Sequence, residues 1–135
     1  MKGIILLLIA PAWALAQVEL VVPGVDFKAS EPIPVTVKNA GKQQISYCVA
    51  LGQTPLVAQK KAGSKWSDLP SAADADAIKT LKVLASGESQ EFPFKLADAG
   101  EVRLVLDYWI GPTQVNCKHP PKGWKQAQSG VLAVR

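Results

Sequence analysis

Imidazole is nearly missing from this sequence: its 135 residues include one histidine, His119, and one methionine, Met1. Copper or zinc handling gathers several imidazole, thiolate or thioether ligands at one site, so a metal-handling role fits poorly. The same scarcity weighs against nucleophilic catalysis, because a Ser/His or Cys/His pair would have to be built on His119. No glycine-rich phosphate loop and no Gly-x-Ser-x-Gly elbow occurs, and no cofactor is implied. Calcium at Asp74-Ala75-Asp76 lacks further oxygen ligands close by. Long charge runs are also missing. Fifteen Lys and Arg against 11 Asp and Glu leave a net charge of +4, but the excesses at Lys60-Lys61 and at Lys118, Lys122 and Lys125 read as solvated faces, so nucleic acid is not an expected partner.

No apolar run reaches the ~20 residues that span a bilayer. The start instead reads as a secretory signal peptide over residues 1–16: Lys2, an apolar stretch from Ile4 to Ile9, then Pro11 and the small-residue ending Ala14-Leu15-Ala16. Cleavage there leaves Gln17 first, with no cysteine after the cut to carry a lipid. Residues 17–135 then form one exported domain, periplasmic or secreted, without stable membrane insertion. In an oxidising compartment Cys48 and Cys117 are expected to join as one disulfide.

What is abundant is period-two alternation, bounded by Gly, Pro, Asn and Asp, which indicates strands. Val18 to Val22 ends at Pro23-Gly24. Ile33, Val35 and Val37 share one face, and Pro32 and Pro34 place that strand at a sheet edge or beside a bulge. Asn39-Ala40-Gly41-Lys42 turns into Gln44 to Leu51, which reads as a hairpin. Leu56 to Gln59 is a short strand, followed by a polar loop, Lys60 to Lys65, before Trp66. Residues 69–79 read as a loop with at most a short helical turn. Leu81 and Val83, then Phe92, Phe94 and Leu96, alternate again. Glu101 to Ile110 is the expected central strand, an irregular stretch runs through Lys125, and Gly130 to Val134 closes the chain. The pattern predicts an all-β antiparallel sandwich of about seven to eight strands.

Six segments occur in one order: Ile33 to Asn39 before a turn, Ile45-Ser46-Tyr47-Cys48, Gly63-Ser64-Lys65-Trp66, Ser86-Gly87-Glu88-Ser89, Gly100 to Leu106, and Ser129 to Val134. Together they resemble the immunoglobulin-like domains of small exported bacterial proteins, across roughly residues 18–135. Asp98-Ala99-Gly100-Glu101-Val102 is similar to the Asp-x-Gly-x-Tyr entry to the sixth immunoglobulin strand, with Val102 in the tyrosine place, so no tyrosine corner forms. The antibody bridge joins the second and sixth strands, whereas Cys117 lies beyond the sixth. The expected tie is between the third strand and the long loop. The resemblance implies an adhesive, structural or binding module.

The expectation is a non-enzymatic module engaging a protein or glycan partner, with the candidate loop residues Trp109, Lys118, His119, Lys122 and Trp124 around the disulfide. Trp and Tyr carry large rigid surface with a polar tip. The competing reading has Trp109 and Trp124 covering the end of the core. A small exported hydrolase or enzyme inhibitor stays open, using carboxylates such as Asp74 with Asp76 or Glu88 with Glu91. The signal-peptide reading predicts that intact mass and N-terminal sequencing of exported protein find Gln17 first; retention of Met1 overturns it.

Overall fold

The computed structural model describes residues 17–50, 53–69, 78–96, 99–111, 116–119 and 122–135, and every regular element among them is a strand. In chain order these are β1 (Val18–Val21), β2 (Asp26–Phe27), β3 (Ile33–Asn39), β4 (Ile45–Ala50), β5 (Val57–Ala62) and β6 (Lys65–Asp68). There follow β7 (Lys79–Leu84), β8 (Ser89–Phe94), β9 (Gly100–Ile110), β10 (Lys125–Gln128) and β11 (Leu132–Val134). The expected segments 1–16, Asp74, Asp76 and Asp98 lie outside the described residues.

Two sheets pack face to face as an immunoglobulin-like β-sandwich. One has the order β1-β3-β8, and the other β2-β11-β9-β4-β7, with β10 and β5 attached to β9 and β6 to β5. Their inward stripes make one core. Ile33, Val35 and Val37 of β3 are sealed from solvent, and they meet Ile45 and Tyr47 of β4 and Val102, Leu104, Leu106 and Tyr108 of β9. Eleven strands build the two sheets among the described residues, where about seven to eight were expected. β2, β6 and β10 are short additions of two to four residues each, and β5 has six, running from Val57 to Ala62 past the expected end at Gln59. All ladders are antiparallel except that of β11 with β2.

Several local expectations are corrected. The turn after Asn39 does not close a hairpin, because β3 and β4 belong to opposite sheets. The chain arches between layers, which brings both apolar stripes onto the same core. Lys60 to Lys65 is not a loop before Trp66: Ala62 pairs with Lys65 around Gly63-Ser64, so β5 and β6 form the hairpin instead. β3 is central rather than an edge. Pro34 and Pro93 stand directly opposite one another, and two residues without N–H can only face each other across a non-hydrogen-bonded pair. Pro34 therefore turns its nitrogen toward the side of β1, which ends opposite Thr36 and leaves no ladder there. In β7, Leu84 points into the core opposite Ile45, while Val83, opposite Ser46, faces out and is exposed.

The arch is held by Asn39, a fully buried polar residue. Its Nδ2 donates to the carbonyls of Gln43 and Leu84, each at 2.9 Å, and its Oδ1 accepts from Gln17 Nε2 at 2.7 Å and from the Gly41 N–H at 3.2 Å. Four bonds saturate the amide. They tie the start of β1, the 40–44 arch and the end of β7 together. At the two open sides of the sandwich stand Tyr47, edge-on to Phe92, and Tyr108, beside the groove between β1 and β10. Burial pushes both phenols above their usual pKa.

Asn39→Ala strands the buried Leu84 carbonyl and is expected to lower the unfolding free energy by about 2–3 kcal/mol. Urea denaturation measures this; a loss no larger than that of Gln17→Ala would remove Asn39 from the centre of the arch.

Candidate functional site

Alternation along β9 sends Arg103, Val105, Asp107 and Trp109 to the outer face of the large sheet, away from the core. A face that merely meets water should be polar there. Val105 and Trp109 are nevertheless only 3% and 7% exposed. Something covers them.

Part of the cover comes from a break in the neighbouring strand. On one edge of β9, Ser46 of β4 pairs with Trp109 and Val57 of β5 with Val105, and no ladder bridges the residues between. After Ser46, β4 peels away to pair with β7, taking Cys48 with it. The rest comes from the stretch after β9. Gly111 leaves the strand at φ +90, a left-handed conformation suited to glycine, with its N–H on the Gln44 carbonyl at 2.8 Å. The chain returns at Cys117, which is bonded to Cys48 with 5.7 Å between the Cα atoms. This is the expected tie from third strand to following segment, and it lies on the outer face instead of crossing the sandwich. Trp124 then packs edge-on against Trp109, ring centroids 6.4 Å apart at 69°.

The result is a cavity of about 260 Å³ with Val57, Val105 and Trp109 beneath it and the disulfide, Pro55, Lys79, Asp107 and Trp124 around it. Trp124 is half exposed. Of the residues expected from sequence, the structure brings Trp109, Trp124, Cys48 and Cys117 together. It places Trp109 in a strand, buried as the base of the site. Lys118, His119 and Lys122 are exposed nearby but do not line the cavity. Asn116 Oδ1 accepts the Lys118 N–H at 2.9 Å, fixing the turn at Cys117. Of the carboxylates considered for hydrolysis, Glu88 accepts the Ala85 N–H at 2.7 Å and so closes the β7–β8 turn, and Glu91 is exposed on β8 in the opposite sheet.

Beyond the cavity the outer face carries a chain of hydrogen-bonded side chains that sequence reasoning missed. Arg103 Nε donates to Gln59 Oε1 at 2.8 Å, and Gln59 Nε2 donates to Asp68 at 2.8 Å. In the other direction Arg103 Nη1 donates to Gln128 Oε1 at 3.3 Å, Gln128 Nε2 to Gln126 Oε1 at 3.2 Å, and Gln126 Nε2 to Asp107 at 3.2 Å. The guanidinium also lies 4.6 Å over the Trp66 ring. The only available signal was the placement of Gln126 and Gln128 on either side of Ala127, too slight by itself to mark a strand. It sits in a stretch read as irregular.

No known sequence family and no curated protein matches this chain. Among solved structures it is similar to Spo0M, a sporulation control protein from Bacillus subtilis, at 17% identity and a TM-score of 0.41, over 88% of this chain and 49% of that one. The chain thus spans about half of that structure. It is also similar to the ASH/PapD-like domain 7 of human CEP192, at 15% identity and a TM-score of 0.31, over 84% of this chain and 83% of that one. The pairing of the strands in two facing sheets defines the fold by itself.

Replacing both cysteines with serine opens a loop spanning 69 positions and is expected to cost about 4 kcal/mol in the chain-entropy account. It should also loosen Trp124 from Trp109. Denaturant midpoints and a red-shifted tryptophan emission check the two effects, and an unshifted emission would mean that the disulfide does not hold the cover.

Proposed function

We propose that this chain is an exported, non-enzymatic binding module that engages a protein or glycan partner through the outer face of its larger sheet, at the disulfide-walled cavity. The observation that carries the reading is the tryptophan pair: Trp109 is buried on a face that should be polar, and Trp124, stacked edge-on to it, stays half exposed. Trp109 acts as the fixed base and Trp124 as the contact. A rigid aromatic that is already ordered before the partner arrives loses little conformational freedom on binding, so its contact area converts efficiently into affinity. The disulfide supplies that order, and it is consistent with an oxidising compartment.

Lys118, His119 and Lys122 form the rim of this surface. Their charges adjust encounter and orientation, and rim charges of this kind add little to affinity by themselves. His119 keeps this non-catalytic role.

Trp124→Ala separates binding from stability. Losing a half-exposed ring should lower the thermal midpoint by a few degrees, roughly 1 kcal/mol, whereas Trp109→Ala should cost about 3–5 kcal/mol. Retention of envelope proteins or polysaccharides on the immobilised domain should fall about tenfold or more with Trp124→Ala. Unchanged retention, or a collapse of the midpoint comparable to that of Trp109→Ala, would make Trp124 part of the core cover and end the proposal.

A further inference from the structure

We propose that the partner is a neutral, hydroxyl-rich glycan chain, laid across β10, β9, β5 and β6 between Trp124 and Trp66. This deepens the binding-module reading and rests on it. Hydrogen-bonding capacity on this face is left unspent. Gln59, Gln126 and Gln128 each use one N–H and accept one bond within the chain of side chains centred on Arg103. An amide has two N–H groups and two lone pairs, so each keeps one of each for a ligand. Asp68 and Asp107 close the two arms as acceptors with further lone pairs. Sugar hydroxyls both donate and accept, and a surface offering both kinds of group at short intervals is complementary to them.

Charge narrows the ligand further. Along the strip Arg103, Lys61 opposite Trp66 and Lys79 at the cavity are matched by Glu101, Asp68 and Asp107, with Lys118 and Lys122 at the rim, so the strip itself has no cationic excess with which to hold a polyanion. Its layout also differs from a protein interface, where an apolar centre is ringed by polar residues. Here the exposed groups between the ends are Asp107, Gln126, Gln128 and Asp68, and the large aromatics stand at the ends. The C–H face of a pyranose ring is weakly positive and packs on the negative face of an indole. Trp124 offers half its surface for this, and Arg103 steadies Trp66 at the far end.

Length excludes a single sugar as the whole ligand. Trp66 is fixed beside Arg103 and Trp124 beside Trp109, and extended strand from Arg103 to Trp109 spans about 20 Å, the reach of a short oligosaccharide. The groups along it are already oriented, since Arg103 donates in both directions and so sets which end of each amide is oxygen. A ligand therefore meets an ordered array and does not have to order it.

Affinity electrophoresis of the disulfide-bonded domain tests this, with neutral polysaccharides (β-glucan, xylan, galactomannan) and anionic ones (heparin, alginate) in the gel. At least one neutral polysaccharide should retard the domain, independently of salt. The dissociation constant should rise about tenfold or more in Trp124→Ala and in the double variant Gln126→Ala, Gln128→Ala. Lys38→Ala, on the opposite sheet, should leave it unchanged. Circular dichroism melts within a few degrees of the parent keep the comparison among folded proteins. Retardation only by polyanions, abolished by salt, overturns the proposal, as does retardation insensitive to the two amides. If no polysaccharide binds but Trp124 governs retention of an envelope protein, the glycan assignment fails while the binding module stands. If neither is seen, both fail.

Discussion

The pairing of β9 along both of its edges is the constraint on which the larger sheet depends. One edge carries β11 and then β10, and the other carries β5 and then β4. A strand of 11 residues is longer than either neighbour, so each side is filled by two short strands laid end to end. The inward residues Val102, Leu104, Leu106 and Tyr108 anchor it in the core, which leaves the outward residues fixed in position whatever the outer neighbours do. Where two end-to-end strands fail to meet, between Ser46 and Val57, the face opens and the cavity forms. The site is thus a consequence of unequal strand lengths.

The disulfide acts on that opening. Cys48 lies in the part of β4 that has left β9, and Cys117 lies in the returning stretch, so the bond joins the two segments that flank the gap. Its entropic effect on the unfolded chain is spread over the whole domain, but its effect on the native state is local, because it seats the cover from which Trp124 projects. A bridge crossing between the sheets, as in antibody domains, would add to core stability and leave this face bare.

Strands built from apolar alternation were legible: Ile33 to Val37, Ile45 to Val49 and Val102 to Leu106 bury the residues expected. β6 and β10 were not, since Lys65-Trp66-Ser67-Asp68 and Lys125-Gln126-Ala127-Gln128 contain too few apolar residues to show a period. They are strands because β5 and β9 offer them hydrogen-bonding edges, which is information held elsewhere in the chain. The same reason hid the arch at Asn39. Locally, Asn39-Ala40-Gly41-Lys42 suits a hairpin equally well, and the choice is made by the bond to the Leu84 carbonyl, 45 positions away. The cysteine pair and the two tryptophans were legible by composition, but their place on an outer sheet face was not.

The two polar networks of this domain show how hydrogen-bonding capacity separates structure from recognition. At Asn39 all four amide valences are used inside the protein, in a site sealed from water, so that any ligand would have to break a native bond to enter. Along the outer face the amides of Gln59, Gln126 and Gln128 use half of theirs. In water that half is solvated at little cost, and so it contributes little to folding. Its worth appears only when a ligand replaces that water with groups of matching polarity, in a geometry already set by Arg103 and the two carboxylates. A saturated network specifies one fold, whereas a half-used and ordered one leaves a surface with something to offer.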